Sequence, residues 1–472
     1  MFRKRSLILS CLLSSLAWPT FAQHYAALDV LPSGTRSSLL IADLASGKSE
    51  SLTDNADQLF PPASTLKLVT TLAAKLSLGD QFRYQTKLAQ AGNDLVLTFS
   101  GDPTLTTQHL INLFTSAKQK QHISHIKGNI WLDNSAFSGY EHAIGLPWDI
   151  TGVCYSASSS AVTLDHNCFP ASIYTLENGN TRVYVPEQYP VSVTTRVKTV
   201  SPETKKATQC ELELLTFPNN HYQLQGCLTP RKQPLPLNFA FQNTELYAQK
   251  RLGMELKRLG IRFDGQIKIG RPTATPSKTL AVHQSEPLPQ LLDSMLKRSD
   301  NLFADSLAKT IGAHVFKQAG NFKNGSTAIK QIIKTRTGID LARDQIADGS
   351  GLSRNNRFSA QDMAAILSYI YRHDNSLHIL SLLPVSGESG TLQYRSSMRK
   401  APIKGQITAK SGSLYGSYNM AGYGLNKDGK PSTLFVQFVS DYYPAKSATN
   451  VAPITQMETQ FYQEVIRRSQ AQ

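Results

Sequence analysis

Ser64-Thr65-Leu66-Lys67, Ser299-Asp300-Asn301 and Lys410-Ser411-Gly412 stand far apart in this chain of 472 residues. Any fold in which they act together must bring the beginning, the middle and the end of the chain to one place. Read singly, each has an ordinary explanation. S-x-x-K also occurs at Ser124, Ser294, Ser306 and Ser397, and such a tetrad alone reads as an exposed helical turn with a solvated lysine. Ser-Asp-Asn is a frequent helix cap, and Lys-Ser-Gly a frequent strand end. The three together, in this order, carry the information.

The local settings agree with a joint role. Pro61-Pro62-Ala63 interrupts regular structure just before Ser64, and Leu66, Val69, Leu72, Ala73 and Leu76 then fall at helical spacing. Lys67 is thereby expected one turn from Ser64, on the same face. Gly79-Asp80 ends that helix. Leu288 to Lys297 and the stretch from Leu302 also read as helices, so Ser299-Asp300-Asn301 is expected on the loop between them. Gln406 to Lys410 reads as a strand entering Ser411-Gly412. Asn419 to Gly424 and Leu434 to Val439 read as strands turning at Lys427-Asp428-Gly429, and Ile454 to Arg468 as a closing helix. Ser38 to Asp43 reads as an early strand.

A serine hydroxyl needs a base to become a nucleophile. Lys67 can serve only when neutral, and burial and a nearby cation such as Lys410 both favour that form. The helix start at Ser64 adds a positive field. The N–H groups of Ser64 and Ser413 are expected to form an oxyanion hole. Ser299 could relay a proton to a leaving amine, Asn301 could hold Lys67 and a substrate amide, and Lys410 with Ser411 could bind a terminal carboxylate. No histidine, including His24, His142 and His166, reads as catalytic. No metal site, cofactor motif, phosphate loop or dinucleotide fingerprint is present.

Arg3, Lys4 and Arg5 precede an apolar run from Leu7 to Trp18, and Thr20-Phe21-Ala22 has the small-x-small form of a cleavage site. Residues 1–22 are therefore expected to be a signal peptide, and the remainder an exported, periplasmic protein. The run is too short for a membrane-spanning helix. Four cysteines follow: Cys154, Cys168, Cys210 and Cys227. Export favours disulfides. Three pairings are open; the simplest is sequential, each short loop contributing roughly 3 kcal/mol in the chain-entropy account. A zinc site would lack any C-x-x-C pair. The formal charge is +15, of which Arg3, Lys4 and Arg5 supply three. Such a surface suits anionic partners; export argues against nucleic acid and leaves carboxylate-bearing wall peptides, membrane surfaces or other cell-wall enzymes. Oligomeric state is not readable.

Residues 85 to 280 change character. Short alternating runs such as Leu95 to Phe99 and Thr181 to Val185, with turn clusters at Asn178-Gly179-Asn180 and Pro218-Asn219-Asn220, read as mostly β. This stretch is expected to be an insertion separating the first strand and the S-x-x-K helix from the rest of their domain. The expected division is 23–85 with 280–472 as the catalytic unit, 86–165 with 236–279 as a second domain, and 166–235 as a nested β-rich third.

With these residues in view, the chain resembles the class C low-molecular-mass penicillin-binding proteins, a family of serine D-alanyl-D-alanine carboxypeptidases and endopeptidases. Besides the three motifs the resemblance covers Leu59 to Thr65, Gly101-Asp102-Pro103-Thr104-Leu105, Trp148 to Phe169 and Asp348 to Arg354, and extends nearly end to end. It implies an α/β transpeptidase domain of the DD-peptidase/β-lactamase type. Such a domain has an antiparallel sheet with helices on both sides and a helical subdomain, here carrying the large, mostly β insertion. It implies peptidoglycan stem peptides as substrates, β-lactams as covalent inhibitors and no cofactor. It also implies a pocket for a diaminopimelate side chain near Arg354, Tyr155 and Asp149, with Arg354 pairing its carboxylate and Asp149 its ammonium. Asp348 is expected to hold the Gly349-Ser350-Gly351 turn. One departure is visible: Ser411 stands where the family commonly has threonine, keeping the hydroxyl and losing a methyl. Two other readings remain, a β-lactamase-like or esterase-like acyl hydrolase, which the long cysteine-bearing insert disfavours, and a catalytically weak peptidoglycan-binding protein, which the intact Ser64, Lys67, Ser299, Asn301 and Lys410 disfavour.

Overall fold

The computed structural model describes residues 25–53, 55–445 and 451–471. The expected signal peptide lies outside them. Among the described residues no helix is long and apolar enough to cross a membrane.

Both ends of the chain meet in a five-stranded antiparallel sheet. Its order is Ile407–Leu414, Ser417–Leu425, Pro431–Ser440, Arg36–Asp43 and Ser49–Ser51. Leu40 pairs with Val436 and Leu39 with Gln437, so the N-terminal strand is held by the last strand of the chain. The period-2 alternation of a strand then sorts its side chains into two cores. Leu40 and Ala42 join Val436, Phe438 and Tyr423 on one face. Leu39 and Ile41 join Phe435 and Val439 on the other, against Met457, Phe461 and Val465 of the C-terminal helix Pro453–Gln470.

The first face is covered by helices. Lys67–Ser77, Leu288–Arg298, Asn301–Phe316, Phe322–Thr337 and Ala360–Arg372 contribute Val69, Leu72, Met295, Leu307, Ile329 and Ile366 to one buried cluster. The arrangement is the α/β one expected, an antiparallel sheet with helices on both sides.

The middle of the chain builds its own core. A second five-stranded sheet runs Ile267–Ile269, Ile130–Asp133, Asp94–Thr98, Gln85–Ala91 and Lys278–Gln284. It mixes parallel pairs, such as Leu95 with Ile130, and antiparallel ones, such as Leu88 with Leu97. Two helices of fifteen residues, Thr107–Gln121 and Thr244–Arg258, pack Leu110, Phe114, Leu252 and Leu256 against it. The alternating runs alone do not announce these helices. Leu110, Leu113, Phe114 and Ala117 nonetheless mark one helical face, and Thr106 caps its start.

Smaller antiparallel and mixed sheets complete the middle region. Leu235–Ala240, Cys168–Thr175 and Thr181–Tyr184 form one; His221–Leu228 is flanked by Ser192–Thr195, Lys198–Thr199 and Leu212–Phe217 in the other. Disulfides join Cys154 to Cys168 and Cys210 to Cys227, with Cα separations of 5.5 and 5.7 Å. The first ties the loop carrying Tyr155 to a strand of this region.

Candidate active site

Ser64 does not open the α-helix. It lies in a 3-10 turn, Ala63–Leu66, and Lys67 is the first residue of the α-helix Lys67–Ser77. A 3-10 turn eclipses residues three apart, which puts Lys67 Nζ 2.9 Å from Ser64 Oγ. Ala63, just before, has a left-handed φ of 48°, a conformation that costs energy for a residue with a Cβ.

Lys67 is fully buried. Its ammonium also donates to Asn301 Oδ1 at 2.7 Å and to the Ser350 carbonyl at 2.8 Å. Burial pulls its pKa down, against the nearby carboxylates of Asp305, Asp348 and Asp300, which favour the charged form. Burial and Asp348 push the Asp305 carboxyl up in turn. The direction for Lys67 is toward a lysine able to accept a proton.

The second motif links two helices. Ser299 caps Leu288–Arg298 in a left-handed conformation, φ 56°. Asp300 caps the start of Asn301–Phe316, accepting from Phe303 N at 3.1 Å. The ordinary reading as a cap therefore holds for Ser299 and Asp300, while the side chains of Ser299 and Asn301 reach the two buried lysines, Lys410 and Lys67. Lys410 Nζ donates to Ser299 Oγ at 2.9 Å, and Asn301 Nδ2 to the Tyr155 carbonyl at 2.7 Å.

The third motif lies within the edge strand Ile407–Leu414. Lys410 is fully buried, and burial, then the charges of Lys67 and Arg395, depress its pKa well below the ordinary value. A Cβ on Gly412 would stand 2.8 Å from the Pro62 carbonyl and 3.0 Å from the backbone nitrogens of Ser64 and Thr65. Only glycine lets this strand lie against the Ser64 amide. Ser411 Oγ is 2.7 Å from Thr391 Oγ1, and Ser413 is exposed one residue beyond Gly412.

The rim residues also gather. Arg354 Nη1 donates to the Tyr415 carbonyl at 3.2 Å. Burial raises the Tyr155 hydroxyl pKa, with Asp149 raising it further and Arg354 opposing. Asp348 holds its turn as expected, accepting from Gly351 N and Ser353 N at 2.7 Å each and from Asn356 Nδ2 at 2.9 Å.

Several contributors were not legible beforehand. Asn419 ties the sheet to the nucleophile turn through the Pro61 carbonyl, 2.7 Å away. His166 Nε2 lies 3.1 Å from Asp300 Oδ2. Asp305 accepts from Gly349 N at 3.0 Å; the polar row Asn301, Asp305 and Lys309, spaced by four on a helix rich in apolar residues, is the signal the sequence offers. Among the described residues no cluster of His, Cys, Asp or Glu could hold a metal ion.

Known proteins resemble this chain over most of its length. The model of the D-Ala-D-Ala carboxypeptidase 3 (S13) family matches residues 24–461. D-alanyl-D-alanine carboxypeptidase DacB of Haemophilus influenzae is 35% identical over 468 residues, covering 96% of each chain. A D-alanyl-D-alanine carboxypeptidase of Actinomadura sp. is 26% identical over 424 residues, 84% of this chain and 76% of that one. The crystal structure of penicillin binding protein 4 (dacB) from H. influenzae superimposes with a TM-score of 0.87 at 34% identity, covering 93% of this chain and 98% of that one. A second structure of that protein, complexed with a β-lactam, gives 0.82 at 33% identity over the same shares. The chain belongs to the D-Ala-D-Ala carboxypeptidase 3 (S13) family.

Proposed function

We propose that this chain is a serine D-Ala-D-Ala carboxypeptidase that also cleaves D-Ala–diaminopimelate cross-links, acting on peptidoglycan stem peptides through an acyl-enzyme on Ser64. The observation that carries the reading is the buried Lys67 amine 2.9 Å from Ser64 Oγ, with its pKa held down. Neutral Lys67 takes the Ser64 proton as Oγ attacks the carbonyl of the penultimate D-Ala. The developing oxyanion faces the N–H groups of Ser64 and Ser413. As the peptide C–N bond breaks, the leaving amine takes a proton through Ser299, which Lys410 holds. Asn301 steadies Lys67 and the substrate amide. Lys410 and Ser411 receive the terminal carboxylate. Water then adds to the ester by the same route in reverse and frees the enzyme.

A β-lactam presents a strained amide and a carboxylate to the same groups, so penicillin acylates Ser64 and stays. The basic n-region, the cleavage site and the two disulfides support a periplasmic location. We draw the domain division close to 85 and 280: Gln85–Ala91 and Lys278–Gln284, by which the chain enters and leaves the middle region, pair as neighbouring strands of its sheet, which places both strands in the insertion. Arg354, Tyr155 and Asp149 would receive the diaminopimelate side chain.

Peptide mapping of a penicillin adduct tests the nucleophile: the label is expected on Ser64. A label on Ser124, Ser294, Ser306 or Ser397 would overturn the assignment. Incubation with cross-linked muropeptides is expected to release monomers as well as D-Ala; release of D-Ala alone would remove the endopeptidase part.

A further inference from the structure

Ser411 poses a problem of rotamers. It stands on the edge strand, 8% exposed, and its hydroxyl must point into the cleft to meet a carboxylate. Threonine would be stiff there, because branching at Cβ restricts χ1. Serine has no such branch and samples staggered wells more freely. The fold supplies a partner instead: Thr391 Oγ1 lies 2.7 Å from Ser411 Oγ.

The backbone that carries Thr391 is itself firmly placed. It sits in the one-turn segment Gly390–Leu392. A Cβ on Gly390 would stand 2.8 Å from the Lys297 carbonyl, so the segment rests directly on the end of the helix that Ser299 caps. A few residues on, the buried carboxylate of Glu458 on the C-terminal helix accepts from Arg395 Nε at 3.1 Å and from Ser397 Oγ at 2.7 Å, with a second Arg395 nitrogen on its other oxygen. The segment 390–398 is thus fixed at both ends, between the Ser-Asp-Asn loop and the Lys-Ser-Gly strand.

We propose that Thr391 is a positioning residue of the carboxylate pocket, holding the Ser411 hydroxyl in the rotamer that a threonine at 411 would hold by its own branching. The proposal rests on the reading of Ser411 as a carboxylate ligand. It predicts an interdependence: the hydroxyl at 391 matters because residue 411 is serine.

The test uses the full mature protein and two probes, an N-acyl-D-alanyl thioester of thioglycolate and its methyl ester. They differ only in the terminal carboxylate. Thr391→Val keeps shape and removes the hydroxyl. It is expected to lower kcat/KM on the free acid about three- to tenfold, the worth of one neutral hydrogen bond, with the change in KM and little change on the methyl ester. Thr391→Ser should retain wild-type values. Ser411→Thr added to Thr391→Val should restore them. Equal losses on both probes, no loss on either, or failure of Ser411→Thr to rescue would overturn the proposal. Ser411→Ala separates it from the reading beneath: if that variant treats the two probes as the wild type does, Ser411 is not a carboxylate ligand. If it loses selectivity while Thr391→Val does not, only the role of Thr391 falls.

Discussion

The chain holds two S-x-x-K tetrads with a buried lysine, and they differ in what the lysine touches. Lys67 and Lys309 are 0% and 1% exposed. Burial pulls both pKa values down, that of Lys309 to about 8. Lys67 nevertheless bonds Ser64 Oγ and the Asn301 side chain. Lys309 bonds the carbonyls of Tyr140 and Ser159 and lies over the rings of Phe137 and Phe322. Its serine, Ser306, is fully buried and faces Ser159 Oγ. A depressed lysine pKa is therefore no sufficient mark of a catalytic base. Geometry separates the two: the first tetrad begins in a 3-10 turn that eclipses serine and lysine, while the second lies within the α-helix Asn301–Phe316.

Exchange of the serines breaks this comparison most sharply. Ser64→Ala should abolish covalent penicillin labelling, read by gel fluorescence, with the thermal transition unchanged. Ser306→Ala should label like the wild type. Labelling that survives Ser64→Ala would remove the distinction between the tetrads.

The lysines give the next effect, in opposite currencies. Lys67→Met should slow acylation by roughly 10²- to 10⁴-fold, the usual contribution of general base catalysis. In the wild type the acylation rate should climb as pH rises through a value below the ordinary lysine range, since only neutral Lys67 accepts the proton. Lys309→Met should instead cost roughly 2–4 kcal/mol of stability, because the carbonyls of Tyr140 and Ser159 lose their donor in a buried place. Its acylation rate per folded molecule should hold. A catalytic loss in Lys309→Met without loss of stability would mean that Lys309 acts on the site through Asp305, which it approaches electrostatically.

The three motifs, the flanking helices and the closing strands could be read because each rests on local rules: periodicity, caps and a turn before the nucleophile. What could not be read depends on contacts between distant segments. Nothing near Asn419 says that it will reach the Pro61 carbonyl, and nothing near Ser350 says that its carbonyl will meet Lys67. The glycine of the third motif is legible as a motif, yet its reason, the approach to the Ser64 amide, exists only in the folded sheet. The middle region shows itself in the sequence mainly through its strands. Parallel pairing such as Leu95 with Ile130 leaves no mark in either strand alone.

Arg354 tests whether the rim belongs to the catalytic region or to selection. Arg354→Ala should cost on the order of 1.5–3 kcal/mol in kcat/KM on diaminopimelate peptides, the range for hydrogen bonds to charged groups. Penicillin acylation, which lacks that side chain, should stay nearly intact. Equal losses on both would make Arg354 a support for the strand end through its bond to the Tyr415 carbonyl.

The smallest effect concerns His166, which the inserted region brings against the Ser-Asp-Asn loop. Burial works against a charged imidazole there, but the hydrogen bond and charge of Asp300 prevail and hold its pKa above the ordinary value. Burial likewise opposes the Asp300 carboxylate, and His166 holds that pKa below its ordinary value. The signs define a window. The His166 contribution is fully present below the unfolded histidine value, roughly 6.5, and is lost as pH rises through the raised folded value. The Asp300 contribution is present above the unfolded carboxylate value, roughly 3.9, and is lost as pH falls through the depressed folded value. Because more than a third of the His166 side chain is exposed, solvent screening should limit the pair to about 1 kcal/mol or less. The stability difference between wild type and His166→Gln, followed by thermal melts across pH, should therefore be largest in mildly acid buffer and shrink on the alkaline side. A difference independent of pH would assign His166 to packing on Phe303, whose ring lies 6.0 Å away. The link between the inserted region and the catalytic loop would then be steric and not electrostatic.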